Sequence, residues 1–511
     1  MDDVLLGMLQ SLDPSILIVV GGFSLFGLVM GAIPGLTATT GAALLVPITF
    51  FMGPLEAMAA VIAMAATAIF AGDVPAFLLR IPGTPASAAY TDDGYHFTCA
   101  GRAKFALMTS CMASITGGVF AAIVFAIGAP ALARFALDFS FVEYFWLACL
   151  GLSCAAFIGS SDPVKGVASL LIGLGISVVG LDVITGQPRF TFGIDDLSGG
   201  ISFIPALVGM FAISQILRTT ISNEPGAAWN APAKPKDGRK DEGIFQILLD
   251  MLKFPKQLLR GSTLGFMIGA LPGAGADIAA WVSYGISQRF SKTPEKYGKG
   301  SQEGIIEAAS SNNSAVGGAW VPALVLGIPG DTITAIALGV LIMKGVQPGP
   351  AIFVDQPVMV GKLIGVFLLS NLILFPVSLL VVSGAKYLLR VPRPVMDGFI
   401  LLLSLIGSYA ITNSMLGVWI MLGMGIVGFL MESVKIPLAP MILGLVLGPM
   451  IEANLLRSLI KSGGDPSILW SRPIALCLAV FTIGSILWVV AAPLVRATRK
   501  FCSNRKLGSL T

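Results

Sequence analysis

Residues 26–35 read FGLVMGAIPG, and residues 264–273 read LGFMIGALPG. Gly27, Gly31, Ala32, Pro34 and Gly35 match Gly265, Gly269, Ala270, Pro272 and Gly273 at one offset, 238 (265 less 27). A second pair follows in the same order: Ile81-Pro82-Gly83 matches Ile328-Pro329-Gly330 at an offset of 247 (328 less 81). In a chain with 60 Gly among 511 residues one such match is within reach of chance, but two in order indicate an internal duplication. Paired Pro-Gly breaks in apolar segments are the mark of a duplicated membrane transporter with its substrate site at the breaks.

The composition agrees. Hydrophobic residues make up 55% of the chain and charged residues 12%, against about a quarter charged in soluble domains. Residues 14–55 and 398–431 contain no Asp, Glu, Lys or Arg, and each run is long enough for about two crossings or broken equivalents. Asp2 and Asp3 do not fit the basic start of a signal peptide. A net charge of +4 suits loops facing an anionic membrane surface and is no argument for nucleic acid. The six cysteines (Cys99, Cys111, Cys149, Cys154, Cys477, Cys502) lack zinc or C-x-x-C spacing and read as small packing residues. His96 is the single histidine, which excludes H-E-x-x-H chemistry, and no G-x-x-x-x-G-K-[ST] loop is present. The expected class is therefore an all-α polytopic membrane protein with no enzymatic activity and no cofactor.

Charge sets the orientation. Acidic Asp2, Asp3 and Asp13 precede the first apolar run, which favours an external N-terminus. Residues 15–51 carry the Pro34-Gly35 break and return to the outside. Residues 55–72 then cross inward, and 74–90, broken at Pro82-Gly83, form a hairpin from inside. Spans over 105–130, 141–160, 166–185 and 201–217 bring the chain back to the cytoplasm. Arg218, Lys234, Lys236, Arg239, Lys240, Lys253, Lys256 and Arg260 mark residues 218–260 as a cytoplasmic linker, within which 245–259 reads as an interfacial amphipathic helix. Residues 261–288 are too short for two spans and have basic flanks, so they form a hairpin from inside or a single span. A crossing over 304–320 and a hairpin from outside over 323–342, broken at Pro329-Gly330, come next. Spans over 358–382, 399–411, 415–431, 436–451 and 474–495 complete the chain. Arg457, Lys461 and Arg472 fall outside, against the rule. About 11–12 transmembrane helices plus re-entrant or broken hairpins result, in two inverted-topology repeats over 1–217 and 261–455. Residues 456–511 supply an extra span and a basic tail.

A Pro-Gly break frees backbone groups that survive at membrane depth only beside protein or a watery cavity. Hydroxyls follow the breaks: Thr37, Thr39 and Thr40; Thr84 and Ser87; Thr332 and Thr334. A helix restarting there aims its amides at an anion, while hydroxyls and freed carbonyls suit a carboxylate or Na⁺. The alternative is a tolerated kink. Gly27, Gly31 and Gly35, like Gly265, Gly269 and Gly273, lie at i, i+4 and i+8 on one helix face. That pattern favours close helix packing, with ligand approach reserved for Gly35 and Gly273. Charges at depth are candidates by default. Arg80 pairs a substrate carboxylate or Asp73; Asp331 coordinates a coupling cation or caps the restarted helix. Asn312-Asn313 offer ligands or interhelical bonds.

The motifs GAIPGLTATTGAALLVPITF, IPGTPASAAYTDDGY, GALPGAGADIAAWVSYG, YGKGSQEGIIEAASSNNS and LGIPGDTITAIALGVLIMKGVQPGP resemble those of the TctA family, the large membrane subunit of tripartite tricarboxylate transporters. The resemblance runs from about Gly22 to Pro350. It implies Na⁺-driven carboxylate import in the bacterial inner membrane, with a small membrane subunit of the TctB type and a periplasmic substrate-binding protein of the TctC type. Carried over by position, Pro34-Gly35, Pro82-Gly83, Pro272-Gly273, Asn312-Asn313 and Pro329-Gly330 match motif positions that line the site. From their residue types alone, Asn313 and Asp331 are the expected Na⁺ ligands. The chain departs from the family pattern at residues 70–73, FAGD, and at Arg80, which replaces an uncharged residue. The alternative is a non-transporting membrane subunit of a larger complex.

Overall fold

The computed structural model describes residues 2–33, 36–158, 162–182, 185–222, 244–388 and 393–487. Most of it is helix; the one sheet among the described residues is a two-stranded antiparallel ribbon pairing Gly180 with Arg189 and Leu181 with Pro188. Among the described residues six helices are long and apolar enough to cross a membrane: Pro14–Ala32, Pro54–Leu79, Ala103–Ala136, Pro357–Leu380, Met415–Ser433 and Ala439–Lys461. Shorter apolar helices, among them Ala38–Thr49 and Thr332–Met343, lie beside them. The protein is a multi-pass membrane protein.

Local sequence explains where helices begin. Asp13 accepts from Ser15 N ahead of Pro14–Ala32, and Asp162 accepts from Val164 N ahead of Pro163–Ser177. Ser301 and Ser414 do the same for Gln302–Leu326 and Met415–Ser433. A polar cap followed by proline satisfies first-turn amides without using a helical donor.

Two central helices organise the rest. Pro54–Leu79 is buried along its whole apolar window. In Gln302–Leu326 every residue from Gly304 to Val325 is buried except Val321, although its middle reads SSNNS. Each packs against the helix that leads into the first break of its own half and against the long helix of the other half. Thus Gln302–Leu326 meets Pro255–Gly269 and Ala103–Ala136, while Pro54–Ala71 meets Pro14–Ala32 and Pro357–Leu388. The duplication extends to atoms. A Cβ at Gly27 or Gly31 would overlap the carbonyl oxygens of Met64 and Ala68. A Cβ at Gly265 or Gly269 would overlap those of Ser311 and Ala315, which follow Met64 and Ala68 by the same 247 (311 less 64). The glycine faces are helix-packing surfaces, as small-residue stripes in membranes usually are.

Several expected boundaries move. The separate crossing and hairpin arm expected at 55–72 and 74–90 are one run: Pro54–Ala71 continues through Gly72, whose backbone is itself helical, into Asp73–Leu79. The same holds at 304–320 and 323–342, where Gln302–Leu326 runs unbroken through Pro322 up to the break. The interfacial helix expected over 245–259 is two, Ile244–Met251 and Pro255–Gly269, because Pro255 starts a new first turn. Its buried Ile247 and Met251 pack onto Ala103–Ala136. The span expected over 166–185 ends at Ser177 and gives way to the ribbon. Most of the expected linker, residues 223–243, and the basic tail lie outside the described residues.

Bonds between loops join particular ends. Lys344 Nζ donates to Phe50 O (2.7 Å), Ser414 Oγ to Asp196 Oδ2 (2.8 Å), and Arg189 forks onto Glu452. Arg472 meets buried Glu143 at 2.9 Å. A second group comprises Lys165 Nζ to Val434 O (2.5 Å), Tyr284 OH to Asp93 Oδ2 (2.6 Å) and Arg260 to Glu307.

Candidate functional site

The four breaks are built differently, and each has a local cause. Pro14–Ala32 stops at extended Ile33, and Ala38–Thr49 restarts from Thr37, whose Oγ1 accepts from Thr40 N at 3.1 Å. Pro34 and Gly35 lie outside the described residues. Asp73–Leu79 ends on Arg80 in the left-handed region (φ 61°). The turn after it is held by Thr84 and Ser87, each hydroxyl accepting the other's backbone N–H at 3.2 Å. Pro255–Gly269 gives way to Gly273 (φ 81°), a conformation that suits glycine. Gly275–Phe290 then starts with no side-chain cap. Gln302–Leu326 ends on left-handed Gly327, and Asp331 opens Thr332–Met343 through a capping box with Thr334, whose N–H donates to Asp331 Oδ1 at 2.7 Å.

These breaks meet. Thr39 Oγ1 and Thr332 Oγ1 lie 3.1 Å apart, tying the first break to the fourth. Ala86 N donates to Asp277 Oδ1 (3.1 Å) and Trp281 Nε1 to Pro85 O (3.0 Å), tying the second to the third. Gly273 N donates to Gly330 O at 2.7 Å, tying the third to the fourth. A Cβ at Gly83 would come within 2.9 Å of Gly31 O, so the second break presses on the helix that precedes the first. Between the tips lies a cavity of about 180 Å³. Its polar wall is Thr37, Thr39, Thr84, Asp277, Asn312, Asp331 and Thr332, with the backbone of residues 273–276; Ile69, Ala439 and Leu443 supply apolar wall. Three helix starts, at Ala38, Gly275 and Thr332, border it, and helix starts direct partial positive charge and free amides outward.

Of the residues expected at the site, Thr37, Thr39, Thr84, Gly273, Asn312, Asp331 and Thr332 line this cavity. Thr40 is buried behind Thr37. Pro82, Gly83, Pro272, Pro329 and Gly330 shape the turns without joining the wall. The pair Asn312-Asn313 divides, since adjacent residues on a helix point about 100° apart. Asn312 faces the cavity, whereas Asn313 Nδ2 donates to Ser114 O (3.0 Å) and to Asn371 Oδ1 (2.8 Å), bridging helices. Asp331 is both cap and wall.

Arg80 does not pair with Asp73. Its Nε donates to Asp92 Oδ1 at 2.8 Å, and its side chain is largely exposed, outside the cavity wall. Asp73 lies two helical turns back, about 10 Å along the axis. There its buried carboxylate accepts from Tyr90 OH (2.8 Å) and Ser110 Oγ. The residue that sequence reasoning passed over is Asp277. It follows Thr39 by the repeat offset of 238 and is an acid in an apolar stretch just after a Pro-Gly break, the same signal that singled out Asp331. Among the described residues no group of three or more His, Cys, Asp or Glu side chains is arranged to hold a metal ion. A larger cavity, about 600 Å³, lies beside the ribbon around Arg189 and Glu452 and contains no break residue.

No solved structure matches this chain. An uncharacterized 52.8 kDa protein in the TAR-I ttuC' 3' region of Agrobacterium vitis is 32% identical over 481 residues, covering 93% of each chain. An uncharacterized protein in the TAR-II ttuC' 3' region of the same organism is 33% identical over 236 residues, 46% of this chain and 97% of that one. The model of the tripartite tricarboxylate transporter TctA family matches residues 16–443, the greater part of the chain and all four breaks. By that match, and with the glycine packing and the breaks repeated in both halves, the chain belongs to the tripartite tricarboxylate transporter TctA family.

Proposed function

We propose that this chain is the large permease subunit of a binding-protein-dependent secondary transporter that imports tri- or dicarboxylates across the bacterial inner membrane, driven by a Na⁺ gradient. Its partners are a small membrane subunit of the TctB type and a periplasmic binding protein of the TctC type, which delivers substrate. The observation that carries this reading is the convergence of all four breaks on one cavity bordered by three helix starts. Helix N-termini and hydroxyls offer hydrogen-bond donors to an anion, and freed carbonyls at the same depth suit a coupling cation.

The two halves, 1–217 and 261–455, are inverted repeats in this reading. Its support is the sorting of the loop bonds: every bond in the first group joins ends that charge counting assigns to the outside, and every bond in the second joins ends assigned to the inside. Arg472, one of the basic residues that offend the positive-inside rule, meets Glu143, which offsets its charge.

The test is reconstitution of the two membrane subunits with the binding protein in liposomes, followed by uptake of labelled citrate and succinate under an imposed Na⁺ gradient. Gradient-dependent accumulation of either is expected. A complete, folded complex that moves neither would favour a non-transporting role.

A further inference from the structure

We propose that the cavity takes Na⁺ before it takes a carboxylate, and that Asp277, Asp331 and the Asn312 side-chain oxygen hold the ion. The inference rests on the transport reading above and adds the site and the order of binding. Charge is the first argument. The wall contains two carboxylates, Asp277 and Asp331, within electrostatic range of each other, and no lysine or arginine. Arg80, Arg260 and Lys344, on or beside helices of the same two halves, are engaged elsewhere: Arg80 with Asp92, Arg260 with Glu307, and Lys344 with Phe50 O. A third carboxylate, Asp73, lies behind Tyr90, whose hydroxyl donates to it. A substrate bearing two or three negative charges therefore enters a site that is itself negative, where low dielectric strengthens the repulsion. A bound cation reverses that.

The second argument is an orphaned acceptor. Asn312 is 2% exposed and lines the cavity, and its Oδ1 has no hydrogen-bond partner. A buried amide oxygen without a partner costs free energy unless something occupies it. An oxygen-seeking ion beside two carboxylates supplies that partner. Backbone geometry brings the ligands together: a Cβ at Gly275 would sit 3.5 Å from Asp331 Cβ, so the helix start that carries Asp277 abuts Asp331.

The experiment uses the purified full-length chain and its thermal unfolding in NaCl, KCl or choline chloride at constant ionic strength, each with and without citrate or succinate. Na⁺ is expected to stabilise saturably where choline does not, and the carboxylates to add stabilisation only with Na⁺ present. Asp277→Asn and Asp331→Asn keep the acceptors for Ala86 N and Thr334 N, and asparagine caps a helix as well as aspartate does. Both variants should therefore melt like the parent in choline and need at least about tenfold more Na⁺ for half-saturation. An undiminished Na⁺ response in both variants overturns the site. Stabilisation by citrate or succinate in choline, whether at every pH or only when acidification lets protons replace Na⁺, overturns the order while leaving carboxylate binding intact. A Na⁺ response lost in both variants, with no carboxylate effect under any condition, upholds the cation site and counts against the carboxylate reading instead.

Discussion

Thr39 Oγ1 and Thr332 Oγ1 are 3.1 Å apart across 293 residues of chain, one after the first break of the first half and the other after the second break of the second. Their contact closes one edge of the cavity. Replacing either with valine keeps the shape and removes one hydroxyl. Each single variant is expected to lower initial carboxylate uptake about tenfold at sub-saturating substrate. The double variant should be little worse than either single, because the two share one interaction. Additive losses, measured at matched protein levels, would show that the hydroxyls act separately.

Gly31 and Gly269 perform the same packing task in the two halves. Gly31→Ala and Gly269→Ala drive a methyl group into the carbonyls of Ala68 and Ala315. Each should destabilise the protein by about 1–3 kcal/mol, read as a lower melting temperature and less folded protein. Gly21→Ala and Gly22→Ala, where a Cβ meets nothing within 4 Å, serve as controls and should be neutral.

Arg80 faces Asp92 and the Tyr95 ring, away from the cavity wall. Arg80→Ala is expected to leave the KM for carboxylate uptake within about twofold, since exposed ion pairs contribute little. A large rise in KM at normal protein level would return Arg80 to the substrate path.

Glu143 is fully buried, and its Oε2 accepts from Arg472, Ser140 N and Ser140 Oγ. Arg472→Gln strips the charge partner from a buried carboxylate and should cost about 2 kcal/mol. That is less than the 3–5 of a fully buried pair, because Arg472 is 43% exposed and the serine donors remain. Adding Glu143→Gln should restore most of the lost melting temperature.

The inverted arrangement makes a labelling prediction. In a chain whose native cysteines are replaced, Lys461→Cys should react with a membrane-impermeant thiol reagent in intact cells. Val434→Cys, in the loop bonded by Lys165, should react only after lysis. Equal labelling of both would remove the orientation.

The sequence by itself determined the membrane class, the duplication, the four breaks and most of the hydroxyls at the cavity. These are legible because a chain in lipid must bond its backbone within each helix, so an interruption has to be written locally as Pro-Gly with a polar cap such as Thr37 or Asp331. The tertiary structure alone decided which tips meet, that Asn312 and not Asn313 faces the cavity, that Arg80 turns to Asp92, and that Asp277 joins Asp331. Those outcomes depend on how each helix is rotated and on contacts spanning anything from 12 to 293 positions of chain, which no local pattern encodes. Asp277 shows the boundary: its residue type and its place after a break were visible in the sequence, but its meaning required the fourth break of its own half and the second break of the other half to be set against it.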